Sequence, residues 1–398
     1  MISVTAARAK ILAALRPTGP ETVSLAQGFG RVLAAPVTAR LTQPPANVSA
    51  MDGFALRAED GAKGALLKII GEAPAGHPYP GKIGPGETVR LFTGSVVPEG
   101  ADCVLIQEDA TANGDTVIVN EACAPAKNIR RAGQDFAAGE TLVPAGTRLT
   151  PRQIGLAAAG NHPWLTVHRR PRIAILATGD EILLPGESIP PGSIVSSNAH
   201  ALASFITAHG GEPTILPIAG DTLPAIAAGA AAAAGADLLL TTGGASVGAY
   251  DLIQESLGQA GLALDFWKIA MRPGKPLMFG AIGPLPLLGL PGNPVSAYVC
   301  ALLFLRPALD VLSGLPGQPP ATEPARVTTA MKPNDQREDY IRATLTRDAN
   351  GLAVTPFPVQ DSGMLKTLAH ATALIQRPPH DPAIEPGTLV QIIRLGDV

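Results

Sequence analysis

The stretch ADLLLTTGGASVGAYD, residues 236–251, decides how the chain is read. Leu238, Leu239 and Leu240 make an apolar strand. It stops at a turn built on Gly243, Gly244 and Gly248 around Ser246, and a helix follows Asp251. An apolar strand feeding a helix in this way belongs in a parallel sheet covered on both faces. Exposed N–H groups at such a helix start bind anions, and glycines let a ligand approach the backbone. The turn carries neither the Walker lysine nor the dinucleotide fingerprint. The same glycines could serve only a tight connection that needs positive φ. The serine and the carboxylate of Asp251 favour a binding role.

Working outward, the alternation begins near residue 171. RIAILATG, PTILPIAGD and ADLLLTTGG read as strands, with SNAHALASFITAHG and TLPAIAAGAAAAAG as helices between them. DFWKIAM, PLMFGA and PLLGLPG follow, then a helix from Pro294 to about Leu312. Ligands on such sheets bind beyond the carboxyl ends of the strands. Upstream, LLKIIGE, TVRLFTG, CVLIQED and TVIVNE are short β runs separated by glycine and proline. Residues 1–45 read as amphipathic and helical, and LTPRQIGLAAAG as a helix with Thr150 at N-cap, Pro151 at N1 and Gly160 at its end. After the breaker GLPGQPPATEP come five more short strands.

The expected fold is therefore multidomain, α/β plus all-β modules. Residues 1–46 and 126–170 form a helical linking domain, 47–125 an inserted β-rich domain, 171–316 a central mostly parallel α/β sheet domain, and 320–398 a small C-terminal β barrel. A length of 398 residues requires several such cores.

Composition narrows the function classes. With 30 basic and 33 acidic residues, a strongly basic face for nucleic acid is not indicated. The alanine-rich run 223–236 is too short and too weakly apolar for a membrane span, and the N-terminus has no secretory h-region. Cys103, Cys123 and Cys300 lack metal-ligand spacing, and the seven histidines form no zinc pattern. A cytoplasmic protein is expected, with no nucleic-acid or membrane partner.

Polar motifs gather at the predicted strand ends. ATGDEI supplies Asp180 and Glu181, IAGD supplies Asp221, and the opening stretch supplies Asp251. Each acid could cap a helix or stay solvated, but three strand ends each carrying a carboxylate point to a cation site for magnesium and phosphate oxygens. WKIAMRPGKP brings Lys268, Arg272 and Lys275 on a proline-stiffened loop suited to neutralising an oxyanion. GLPGNPVSAY, with Asn293 as N-cap and Pro294 at N1, offers a second anion cradle as well as good capping. Asp52, Thr93 and Asp135 sit in loops of the β-rich region, where turn chemistry explains them equally well.

The ordered set MDGFA, FTG…VPEGAD, NIR..GQD..AGE, TGDE, TGG.SVG..D, PGKP and GLPGNPVS resembles the molybdopterin molybdenumtransferase family, which includes bacterial MoeA and the gephyrin E-domain. The resemblance covers essentially the whole chain. It implies a homodimer in which the β module of one subunit reaches the sheet domain of the other. It implies that adenylylated molybdopterin and molybdate yield molybdenum cofactor, AMP and water, with Mg2+ as the metal. By the same resemblance, Gly243, Gly244, Ser246, Gly248 and the loop Pro291, Gly292, Asn293 hold the pterin and phosphate parts. Glu181, Asp221 and Asp251 position metal and pyrophosphate, with Lys268 and Lys275 in the same cleft. Arg272, Lys275, Ser296, Ser362, and Arg337 or Arg342 meet molybdate; Asp52, Thr93 and Asp135 complete the site across the dimer. Handover partners would be molybdopterin adenylyltransferase and molybdoenzyme maturation proteins. The family's KPGKP reads RPGKP here, so Arg272 keeps the charge but presents a planar fork. Two alternatives stay open: an adenylyltransferase-like enzyme, which is usually a single short domain, and a non-catalytic E-domain-like scaffold.

Overall fold

The computed structural model describes residues 1–243, 258 and 261–396. It divides into two compact units, one of residues 1–22, 30–34 and 166–398, the other of 23–29 and 35–165.

The first unit contains a six-stranded sheet in the order Glu212–Ile215, Arg172–Ala177, Leu238–Thr242, Leu285–Leu290, Met278–Ile282, Leu262–Trp267. The first four strands are parallel and the last two join antiparallel. Successive side chains alternate faces, and both faces are covered, which is why these strands read as unbroken apolar runs. Ile173, Ile175, Leu238, Leu240, Leu288 and Leu290 pack on one side with Phe205, Ile206 and Leu302. Ala174, Leu176, Leu239 and Leu287 pack on the other with Leu216, Ile226 and Ala230.

The expected helix over residues 1–45 contracts to Val4–Ala14, capped by the Ser3 hydroxyl, which accepts from the Ala6 N–H at 3.2 Å. Pro17 and Pro20 end it: proline removes a donor and disfavours helix in the residue before it. Val4, Ala7, Ile11 and Leu15 are buried in the core of the sheet unit. The helix Pro151–Ala159 falls in the second unit and has the Thr150–Gln153 capping box.

Pro294–Leu312 is long and apolar enough to cross a membrane, but 78% of it is buried inside the protein, as befits a core helix. It is α-helical over Pro294–Cys300, widens to a π turn over Ala301–Leu305, and resumes over Arg306–Leu312. The widening lies just before Pro307, whose ring would collide with the Leu303 carbonyl of a regular α-helix.

The C-terminal strands close into a five-stranded barrel. Glu338–Asp348 pairs with Gly351–Pro356, which continues through Glu323–Val327, Leu389–Arg394 and Ala373–Arg377 back to Glu338–Asp348. Closure leaves no free edge. Ala325, Val327, Ala343, Val354, Ile375 and Ile392 fill the interior. Met271–Arg272, from the PGKP loop, pairs in parallel with Glu338–Asp339.

The second unit is built on a six-stranded sheet in the order Cys103–Ile106, Gly53–Leu56, Glu87–Leu91, Leu66–Ala73, Thr116–Val119, Ala110–Asn113. Phe54, Leu56, Leu67, Leu105 and Val117 form one small core, and Ala55, Val89, Leu91 and Val104 another. All three cysteines are free and buried.

Candidate functional site

A cavity of about 400 Å³ opens at the carboxyl ends of the parallel strands. Ala177, Thr242, Gly243 and Glu181 line it from the strand ends. Ser197 and Asn198 come from the start of the Asn198–Ala208 helix; Pro291, Gly292, Asn293 and Ser296 come from the start of the Pro294 helix. Two helix N-termini facing one cavity bring partial positive charge to it. Gly243 has φ +100°, and a Cβ there would stand 2.3 Å from the Thr178 carbonyl oxygen. Only glycine fits. The Asn198 amide donates to Thr242 Oγ1 at 3.0 Å and to the Gly292 carbonyl at 2.6 Å. Beneath the same strand ends, the hydroxyls of Thr178 and Thr241 are buried with no hydrogen-bond partner among the described residues.

Asn293 occupies the N-cap position, but its side chain makes no capping bond. It donates instead to Ser362 Oγ at 3.0 Å, and the Ser362 carbonyl accepts the Val295 N–H at 3.1 Å. The expectation that Asn293 caps its own helix is thus corrected: a loop of the barrel region satisfies that end. Ser296 is 4% exposed and lines the cavity.

The strand-end acids divide. Glu181 faces the cavity. Asp180 accepts from the Asp221 N–H at 3.0 Å, a bond that pins the 219–222 turn, while the helix that follows is capped by Thr222. Asp221 belongs to that turn and stands outside the cavity lining. Among the described residues no three His, Cys, Asp or Glu side chains gather as a metal cage. Gly244, Ser246, Gly248 and Asp251 lie outside the described residues.

The cations also divide. Neither Lys268 nor Lys275 lines the first cavity, where Pro276 represents their loop. Lys268 has φ +69° and holds its ammonium 3.4 Å from the centre of the Trp267 ring. Lys268 thus stands outside the cavity lining, with its ammonium over the neighbouring indole in a cation–π contact that leaves its charge in place. Arg272 and Arg342 instead line a second cavity of about 300 Å³ with Pro273, Asp339 and Gln360. Arg272 Nε donates to Asp339 Oδ1 at 2.9 Å, and its Nη2 pairs with Oδ2. Arg342 is 1% exposed and donates to the carbonyls of Asp361 at 2.8 Å and Met364 at 3.2 Å. Burial pushes its guanidinium pKa down. Arg337 is turned to Asp335 at 2.6 Å and holds that carboxyl at about 2. Of the two arginines left open by sequence, Arg342 is the one that shares a cavity with Arg272.

In the second unit Asp52 and Thr93 meet at one loop tip. Asp52 Oδ1 accepts from the Thr93 N–H at 2.7 Å and from its hydroxyl at 2.8 Å. Those bonds, the backbone one first, hold the Asp52 carboxyl below its ordinary value. Asp135 is exposed, and its N–H donates to the Gln43 carbonyl at 3.1 Å. Sequence reasoning missed Asn198 and Asp339. Their only signals were an asparagine at a helix start and an acid two places after Arg337.

Three family models match in chain order. The MoeA N-terminal region (domain I and II) covers residues 2–160, a probable molybdopterin binding domain covers 174–311, and the MoeA C-terminal region (domain IV) covers 324–395. The chain is 35% identical over 387 residues to a molybdopterin molybdenumtransferase of Nostoc sp., spanning 94% of this chain and 88% of that one. It is 35% identical over 390 residues to molybdopterin molybdenumtransferase 2 of Mycobacterium tuberculosis, spanning 95% and 96%. Its fold is similar to the crystal structure of a molybdopterin biosynthesis MoeA protein from Pyrococcus horikoshii, with TM-score 0.84, 26% identity, and 98% and 99% of the two chains covered.

Proposed function

The chain belongs to the MoeA family, and from that premise we propose that it is a molybdopterin molybdenumtransferase, which inserts molybdate into adenylylated molybdopterin and releases AMP. The observation that carries this reading is the strand-end cavity walled by the Gly243 turn, the Pro291–Asn293 loop and two helix starts. Its size suits a nucleotide-sized ligand, and its backbone donors suit phosphate. Molybdate is a tetrahedral dianion. The neighbouring cavity with Arg272 and Arg342 offers it charge-assisted donors. The 360–364 loop touches both places: Ser362 accepts from Asn293, while Asp361 and Met364 accept from Arg342.

In this reading the protein binds and orients rather than attacks. The two dithiolene sulfurs displace two oxygens from molybdate and give up their protons. One oxygen, from molybdate directly or by way of water, bonds the phosphorus as the anhydride phosphorus–oxygen bond breaks and AMP leaves. The other departs with the two protons as water. Backbone N–H groups and arginines stabilise the anions on either side of that exchange. Magnesium is the metal of the proposal. It takes one or two carboxylates together with phosphate oxygens, and Glu181 and Asp221 are the described strand-end carboxylates available for it. Bound there, it would polarise a phosphoryl oxygen. The proposal includes a homodimer, in which the Asp52–Thr93 tip and Asp135 of a second copy complete the site. It also includes a cytoplasmic location, consistent with three buried free thiols, and handover to and from neighbouring enzymes of cofactor assembly.

The test is to incubate the protein with adenylylated molybdopterin and magnesium, with and without molybdate. AMP released only when molybdate is present supports the reading. No release, or release indifferent to molybdate, sinks it. Adenylylated product formed from ATP and free molybdopterin would transfer the chain to the adenylyltransferase alternative.

A further inference from the structure

We propose that Asn198 is a positioning residue for the ligand cavity: its side-chain amide sets the spacing between the Gly243 turn and the Gly292 turn. The inference rests on the transferase reading only for the identity of the ligand.

Asn198 is the first residue of the Asn198–Ala208 helix. Its Nδ2 reaches Thr242 Oγ1 at 3.0 Å and the Gly292 carbonyl at 2.6 Å. A carbonyl can only accept, so the nitrogen must be the atom facing Gly292, and the amide orientation follows from chemistry. Both amide protons are then committed, one to the end of a central strand and one to the opposite loop. Each of the three residues lines the cavity.

The two turns approach closely. A Cβ built on Gly292 would lie 3.4 Å from Gly243 Cα. Neither glycine has a side chain with which to fix that approach, and residues 242 and 292 sit on different strands' ends. The Asn198 amide spans them. A purely structural asparagine would spend its bonds inside the core; this one spends both on the rim of the cavity. Its loss should therefore appear in ligand affinity more than in folding or turnover.

The experiment uses the full chain with Asn198→Ala, Asn198→Asp, Thr242→Val and Thr242→Ser. Asn198→Asp sets a carboxylate oxygen against the Gly292 carbonyl, Thr242→Val removes one acceptor, and Thr242→Ser keeps it. Under molybdate saturation, Asn198→Ala and Asn198→Asp should raise KM for adenylylated molybdopterin about tenfold or more, the scale of one good hydrogen bond. Their kcat should stay within about threefold. Thr242→Ser, which keeps the acceptor, should raise KM less than Thr242→Val does, and the Asn198→Ala and Thr242→Val effects should be less than additive. Amide hydrogen exchange over residues 289–294 should quicken in Asn198→Ala. Unchanged KM together with unchanged exchange overturns the proposal, as does a loss confined to kcat. If Asn198→Asp does not fold, Asn198→Ala and Thr242→Val carry the decision. If the unmodified chain releases no AMP with molybdate, the transferase reading fails. The exchange measurement then decides the role of Asn198 alone: quickening supports it, and no change overturns it.

Discussion

Arg272 and Asp339 are partners both in strand register and in an ion pair, with Arg272 Nε 2.9 Å from Asp339 Oδ1. The two ends are unequal: the arginine side chain is 50% exposed and the aspartate 5%. Removing the arginine strands a nearly buried carboxylate, whereas removing the carboxylate leaves a cation that water can reach. Arg272→Ala should therefore cost on the order of 3 kcal/mol and Asp339→Asn about 1 kcal/mol. Arg272→Lys, which loses the parallel fork, should fall between them. Urea denaturation of the three variants checks the order. A larger loss for Asp339→Asn than for Arg272→Ala would contradict it.

Gly243 and Gly292 face the same cavity but differ in what a methyl group would meet. At Gly243 the backbone has φ +100° and the Thr178 carbonyl oxygen lies 2.3 Å from the Cβ position. Gly243→Ala should cost about 2 kcal/mol or more, through strain and displacement of the turn. At Gly292 the nearest atom to a Cβ is Gly243 Cα, at 3.4 Å. Gly292→Ala should leave stability within about 0.5 kcal/mol while narrowing the cavity and weakening nucleotide binding. Denaturation curves paired with calorimetric titration of AMP separate the two.

What could be read from sequence and what could not follows from the range of the interactions. The strand Leu238–Thr242 was legible because burial on both faces leaves an unbroken apolar run. The barrel strands were legible because alternation and turn residues are local. The helix expected through residue 45 was not real beyond Ala14, because prolines outweighed a periodicity that the eye extended. Asn293 was read as a cap from local rules, yet its side chain bonds Ser362, 69 positions away. Arg337 and Arg342 could not be told apart from sequence, since Arg337 turns to the nearby Asp335 whereas Arg342 is buried with partners 19 and 22 positions away. The same limit hid Asn198: its partner Gly292 is 94 positions away.

Arg342 should be costly to replace for a reason separate from any ligand. Its guanidinium is buried and supplies hydrogen bonds to the carbonyls of Asp361 and Met364. Arg342→Met keeps most of the volume but orphans both acceptors, and should destabilise the chain by about 2–4 kcal/mol. Under the proposed function it should also raise the KM for molybdate roughly tenfold or more, through loss of a charge-assisted donor. Thermal denaturation reads the first effect and molybdate titration of AMP release the second. A variant of wild-type stability would show that those carbonyls find other donors.

Asp52 and Thr93 make a prediction about pH. The Thr93 N–H and hydroxyl both donate to Asp52 Oδ1 and hold its carboxyl below the ordinary value of 3.8. A depressed carboxyl favours the folded loop at pH values above that ordinary value. The advantage disappears as pH falls through the lower, folded value, where both states are protonated. Thr93→Val removes the hydroxyl but keeps the N–H, so the Asp52 titration should move up towards 3.8 without reaching it. Because the backbone bond is the larger cause, the move should be the smaller part of the whole depression. A carboxyl-detected NMR titration of the two chains measures it. An unchanged Asp52 titration in Thr93→Val would mean that the side-chain bond is absent in solution. A return all the way to the ordinary value would mean that the backbone bond depends on the hydroxyl for its geometry.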